Sequence, residues 1–160
     1  MGTAQPHVAS LSHGRNEAEW LGKCLDSINN QTLKPYVVLY VDDCSSDDSV
    51  EIANEKGAIA HWLLTEHENW TTSPMLATIY NKMFEGLEQV IKQQNLQRPD
   101  YYFIGGCDAV YPATYIEELV ALMERNPKLA ACSGVFRDEP CGPRFARGLG
   151  RLYRASFWDA

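Results

Sequence analysis

Three aspartates stand where carboxylates can do chemistry. Asp42 and Asp43 end the apolar run Val37-Val38-Leu39-Tyr40-Val41, and Asp108 follows a second run, Tyr101-Tyr102-Phe103-Ile104, across Gly105-Gly106-Cys107. Carboxylates are hard oxygen ligands for Mg²⁺ or Mn²⁺, ions commonly held by one or two acids and shared with the phosphates of a nucleotide. An isolated Asp-Asp is more often a turn former that ends a strand. Its address is what gives it weight here. If both runs are strands of one parallel sheet, their ends share an edge, and open α/β sheets bind ligands outside the carboxyl ends of their strands. Gly105 and Gly106 would then leave backbone open to the close approach of a bulky ligand.

The elements that must position these acids are legible as alternating patterns. His7 to Ser12 reads as a first strand, broken at His13-Gly14-Arg15-Asn16, with Asn16 capping a helix from Glu17 on which Trp20, Leu21, Cys24, Leu25 and Ile28 form one apolar face. The strand of residues 36–42 follows Pro35. A helix over residues 46–56 has Ser45 or Ser46 as its cap, Asp47 and Asp48 in its first turn and Gly57 at its end. Residues 58–64 read as a third strand and 65–72, which include His67 and Trp70, as a polar loop. Ser73-Pro74 opens the longest helix, lined by Met75, Ile79, Met83, Leu87 and Ile91. A strand over 101–104, a helix from Pro112 to Arg125 and a strand over 129–136 complete the regular part. Such alternation predicts βαβ units: a three-layer αβα sandwich with a mostly parallel central sheet, Rossmann-like in layout. Residues 1–6 read as a polar lead-in and 7–136 as one αβα domain. The stretch 137–160 is Gly/Pro/Arg-rich and carries no regular period.

Composition narrows the function. The chain has 160 residues and a net charge of −7, which argues against a nucleic-acid partner but suits a cation site. Arg137, Arg144, Arg147, Arg151 and Arg154 crowd its end, where they form either an anion-binding patch or a solvated loop. Five scattered cysteines without metal-ligand spacing point to reduced thiols and a cytoplasmic setting. No apolar run is long enough for a transmembrane segment. A Rossmann dehydrogenase is disfavoured because no Gly-x-Gly-x-x-Gly follows the first strand.

The order Asn16-Glu17, Ser27 to Gln31-Thr32, Val41-Asp42-Asp43-Cys44-Ser45-Ser46-Asp47 and Cys107-Asp108-Ala109-Val110-Tyr111-Pro112 resembles the family 2 glycosyltransferases of the GT-A fold, over about residues 7–159. The resemblance implies a metal-assisted transfer of sugar from a nucleotide-diphosphate sugar to an acceptor hydroxyl on a glycan, lipid or protein. It assigns the nucleotide to Ser12, Asn16, Glu17, Asp42, Asp43 and Asn81, and the metal, Mn²⁺ or Mg²⁺, to Asp108. It makes residues 7–136 the nucleotide-sugar-binding domain and 137–160 the incomplete start of an acceptor-side region; any attachment to a membrane would come through a parent protein. A nucleotidyltransferase or a non-catalytic nucleotide-sugar-binding module would share these features. Departures are informative. Gly106 replaces the first acid of the usual Asp-x-Asp, and Cys44 replaces the usual Gly after Asp-Asp. Tyr80 stands where an Arg often holds the nucleotide, so Arg15 or His67 would have to substitute. The family's catalytic base lies well downstream of the metal acid. The late acids here are Asp138, Glu139 and Asp159, and a base past Ala160 is the alternative.

Overall fold

The computed structural model describes residues 5–62, 73–134 and 150–157. Six strands form one sheet: β1 (Val8–Gly14), β2 (Val37–Asp42), β3 (Ile59–Trp62), β4 (Tyr101–Gly106), β5 (Ala131–Ser133) and β6 (Arg151–Arg154). Their order is β3-β2-β1-β4-β6-β5. The pairs β1/β2, β1/β4 and β2/β3 are parallel, whereas β6 runs antiparallel to both β4 and β5. The expected αβα layout with a mostly parallel sheet is therefore present, with β6 as the one reversed strand among the described residues.

Strand alternation divides the sheet's side chains between two cores. On one face Val8, Tyr40, Tyr101, Phe103 and Leu152 pack against Leu21, Cys24, Leu25 and Ile28 of α1 (Ala18–Asn29) and Ile116, Leu119 and Met123 of α4 (Tyr115–Arg125). On the other, Ala9, Leu11, Leu39 and Val41 pack against Ile79, Met83, Leu87 and Ile91 of α3 (Ser73–Gln94). Apolar on both faces, β1 and β2 occupy the sheet's interior, as continuous hydrophobic runs require. Trp20, expected on the buried face of α1, lies at its margin instead, partly exposed under the Lys23 ammonium at 4.5 Å from the ring centroid.

Several boundaries differ from the pattern-based expectation. The strand β1 continues two residues past Ser12, because His13 and Gly14 pair in register with Val41 and Asp42 on one side and His13 with Gly106 on the other. Ladder pairing on both sides overrides the weak strand preference of Gly. The helix α2 (Ser49–Glu55) begins later than Ser46, and α4 begins at Tyr115 rather than Pro112. Gly57, at a φ of 75°, ends α2 as expected: its N–H bonds the Asn54 carbonyl and the Ala58 N–H the Ala53 carbonyl, a Schellman arrangement. The polar loop 65–72, with His67 and Trp70, lies outside the described residues, as do Arg137, Arg144 and Arg147.

Candidate functional site

The carboxyl ends of β2, β1 and β4 are neighbours, Gly14 opposite Asp42 and His13 opposite Gly106. With strands about 4.8 Å apart, the turn after β2 and the turn after β4 are roughly 10 Å from each other, with the turn after β1 between them. From β1 the chain crosses to β2 on one side, while β4 joins on the other, so this is the switch point at which open sheets form a crevice. The structure thus brings Asp42, Asp43 and Asp108 to one edge.

The two adjacent acids have different surroundings. Asp42, completely buried, accepts from the Tyr40 hydroxyl on Oδ1 at 3.3 Å and from the Ser45 N–H on Oδ2 at 2.9 Å. It shapes the turn. The Asp43 N–H donates to the Gly14 carbonyl at 3.0 Å, and its 1% exposed carboxylate lies close enough to His13 to favour the protonated imidazole. Burial outweighs that attraction and holds the His13 pKa below its ordinary 6.5. The edge of the His13 ring meets Tyr80 of α3 at 6.1 Å between centroids. Asp108 occupies the turn after β4 and is partly exposed.

The turn after β1 is tied to the turn after β2. Asn16 takes a left-handed φ of 57°, and its Oδ1 accepts from the Ser46 N–H at 2.8 Å and the Ser46 hydroxyl at 3.3 Å. The Asn16 N–H donates to Ser45 Oγ, the Glu17 N–H to Ser49 Oγ (both 2.9 Å) and the Ala18 N–H to Asp47 Oδ2 at 3.1 Å. Helix α1 is therefore capped by side chains from the other turn. Asn16 does not cap it: Glu17 is the N-cap residue and makes no side-chain cap bond. Asp47 serves both helices, because its Oδ1 also accepts from the Ser49 N–H and hydroxyl. Neither Ser45 nor Ser46 caps α2, which starts behind Asp48.

The floor of the crevice is closed. A Cβ at Gly14 would lie 2.7 Å from Glu17 Cγ, 3.2 Å from Cys107 Sγ and 3.3 Å from the Tyr40 hydroxyl. The Cys107 thiol donates to the His13 carbonyl at 2.9 Å, and the Cys24 thiol to the Gly106 carbonyl at 3.3 Å. Burial holds both neutral, pushing Cys24 up to about 12. These cysteines tie off the carbonyls of the strand ends, beyond mere filling. Ser12, placed at the strand end by the sequence pattern, is 2% exposed because β1 continues past it. The space over Gly105 belongs to Tyr111, whose hydroxyl would be 2.5 Å from an added Cβ, so no ligand enters there. Asn81 is exposed on the outer side of α3, beside Phe84, Glu85 and Glu88 in a shallow groove, while its neighbour Tyr80 turns to the crevice. The late acids Asp138, Glu139 and Asp159 lie outside the described residues.

Ser27, Gln31 and Thr32 had a place in the sequence pattern but no role. Ser27 Oγ accepts from the Tyr111 N–H at 3.1 Å. Gln31, 1% exposed, donates to the Pro112 carbonyl at 2.7 Å and accepts from the Ile116 N–H at 3.0 Å, and the Thr32 N–H donates to the Ala113 carbonyl. They moor the segment that follows Asp108.

Whether the edge suits a divalent cation follows from its donors. Among the described residues no group of three His, Cys, Asp or Glu side chains could hold a metal by itself. A single partly exposed carboxylate fits the mode in which a cation keeps several waters and shares substrate phosphates.

Comparison with known proteins agrees with this fold. Residues 15–67 match the family model described as glycosyl transferase family 2, which bears out the resemblance carried by the motifs. Among solved structures, the chain is similar to the Pyrobaculum calidifontis mannosyltransferase PcManGT in complex with GDP-Man and Mn²⁺ (22% identity, TM-score 0.60, 84% of this chain and 37% of that one). It is similar to S. aureus TarS 1–349 in complex with UDP (13%, 0.66, 96% and 48%). It also resembles the Mycobacterium tuberculosis glucosyl-3-phosphoglycerate synthase in complex with Mn²⁺, UDP and glucosyl-3-phosphoglycerate (15%, 0.59, 84% and 45%). The fold is the GT-A fold of these enzymes, and the chain spans less than half the length of each. No curated protein matches in sequence.

Proposed function

We propose that this chain is the donor-binding part of a family 2 glycosyltransferase that moves a sugar from a nucleotide-diphosphate sugar to an acceptor hydroxyl, with Mn²⁺ or Mg²⁺ at Asp108. The observation that carries this reading is the convergence of Asp43 and Asp108 on the two strands flanking β1 at the switch point. Asp43 offers an acceptor-only carboxylate to the N–H and O–H groups of a nucleoside. Asp42 and Asn16 serve that site indirectly, by fixing the turns that carry Asp43 and Glu17. A bound cation would stabilise the negative charge developing on the departing diphosphate. The acceptor hydroxyl needs a base within hydrogen-bond reach, for which Asp138, Glu139 and Asp159 are the candidates within this sequence. A nucleotidyltransferase is disfavoured, because the Glu17 and Ala18 N–H groups that a phosphate loop would present are already taken by Ser49 and Asp47. Cys24, Cys44, Cys107 and Cys132 are all free thiols, which supports a reducing, cytoplasmic setting. Among the described residues no helix is long and apolar enough to cross a membrane.

Calorimetric titration with UDP, GDP, CDP and dTDP, each with Mn²⁺ and with EDTA, tests the reading. At least one diphosphate is expected to bind more tightly with Mn²⁺, and Asp108→Asn is expected to remove that difference. Equal binding with and without metal for all four, or an Asp108→Ala variant that binds like the wild type, refutes it.

A further inference from the structure

The neighbourhood of Arg15 extends this reading and rests on it. A nucleoside at Asp43 and a cation at Asp108 leave the diphosphate to lie between them, over the turn after β1. That stretch carries negative charge already, from Asp43, Glu17 and Asp108, and two more phosphates need positive charge beside the cation. Helix N-termini commonly supply phosphate donors, but the first amides of α1 are capped by Ser49 and Asp47. Tyr80 brings an uncharged ring to the crevice. The cation in the turn is Arg15, between Gly14, packed beneath Glu17, and Asn16, fixed in its left-handed conformation by Ser45 and Ser46. Its side chain is partly buried, and among the described residues no hydrogen bond or ion pair engages it. Arg98 and Arg154, by contrast, pair with Glu88 and Glu124.

We infer that Arg15 binds the diphosphate of the donor, in the span between the nucleoside acid Asp43 and the metal acid Asp108. A planar fork of N–H donors matches phosphate oxygens in pairs, and the backbone that bears it is fixed by Ser45 and Ser46, so only the side chain has to be ordered on binding. The residue takes over the task for which the motif pattern would otherwise use an arginine at position 80.

The test compares nucleoside diphosphates with the corresponding nucleosides. In Mn²⁺, the diphosphate of UDP, GDP, CDP and dTDP that binds wild type best is titrated against Arg15→Met, Arg15→Lys and Lys34→Met. Lys34 is an exposed cation before β2, at the opposite edge of the sheet. Arg15→Met is expected to weaken the diphosphate about tenfold or more and leave the nucleoside unchanged. Arg15→Lys is expected to fall between, and Lys34→Met to match wild type. Far-ultraviolet circular dichroism melts confirm that each variant is folded. If Arg15→Met binds the diphosphate like wild type, loses nucleoside affinity by the same factor, or is matched by Lys34→Met, the inference is wrong while the donor site stands. If wild type binds none of the four diphosphates, both fail.

Discussion

Cys44 immediately follows Asp43 and turns the chain out of β2 with a φ of 56°. In that left-handed region the Cβ of an L-residue crowds its own backbone, at about 1–2 kcal/mol, while glycine pays no such penalty. Replacing Cys44 by Gly relieves this strain but gives the unfolded chain more freedom, which costs about 0.5–1 kcal/mol. Taken at the middle of each range, the net gain is about 0.75 kcal/mol. Cysteine also has contacts that glycine loses, so the proper reference is Cys44→Ala. Alanine loses the thiol too, yet keeps the Cβ and the strain.

Urea denaturation of the two variants is the assay, at fixed pH and under reducing conditions. Cys44→Gly is expected to unfold at higher urea than Cys44→Ala with an unchanged slope. For a chain of 160 residues the difference corresponds to a melting temperature higher by roughly 1–4 °C. If Cys44→Gly is no more stable than Cys44→Ala, the turn is unstrained or relaxes freely, and the argument fails. The same experiment explains what the departure from glycine costs this chain.

Two further expectations concern the ties around the site. Asp47→Ala removes acceptors from the Ala18 and Ser49 N–H groups, loosening the starts of α1 and α2 together, and is expected to cost about 1–2 kcal/mol by urea denaturation; a loss no larger than that of Asp48→Ala would refute the shared cap. For His13, burial lowers the native pKa below the unfolded value of 6.5, so the unfolded chain takes the proton first and stability falls as pH drops below about 6.5. His13→Phe should flatten the stability curve between about pH 5 and 7, and a native His13 resonance titrating above 6.5 in an NMR series would contradict it.

What the sequence made legible was whatever the core decides. The apolar runs of β2 and β4 and the face of α3 are set by burial, which repeats at fixed spacing, so strands, helices and their alternation could be read directly. The ends of the elements were not, because their polar groups are satisfied by partners far off in sequence. Asn16 precedes a helix and has the right chemistry to cap it, yet its acceptor faces Ser46, and α1 receives its caps from Ser49 and Asp47. Gln31 closes α4 from the end of α1. Local signals cannot distinguish a cap in place from one supplied across a turn. The same limit hid Tyr111 over Gly105, where two glycines in sequence suggested open backbone.

Alternation does, however, explain why adjacent acids have separate roles. Side chains two apart on a strand share a face, so Asp42, the last residue of β2, follows Tyr40 toward the core of α1 and α4. Its carboxylate meets the Tyr40 hydroxyl and the Ser45 N–H there. Asp43 is one residue beyond the ladder, bonded through its N–H to the Gly14 carbonyl, and its charge is felt by His13. His13 leaves β1 on the opposite face from Ser12 and Gly14, toward Tyr80 of α3. An Asp-Asp at the end of a buried parallel strand is thus two devices: the first acid completes the turn, and the second, freed from the sheet's alternation, places its charge beside His13 at the edge. The order cannot be reversed, because a shift of one residue would turn Asp42 and Tyr40 together to the other face and put Asp43 behind Val41, which has no hydroxyl to donate.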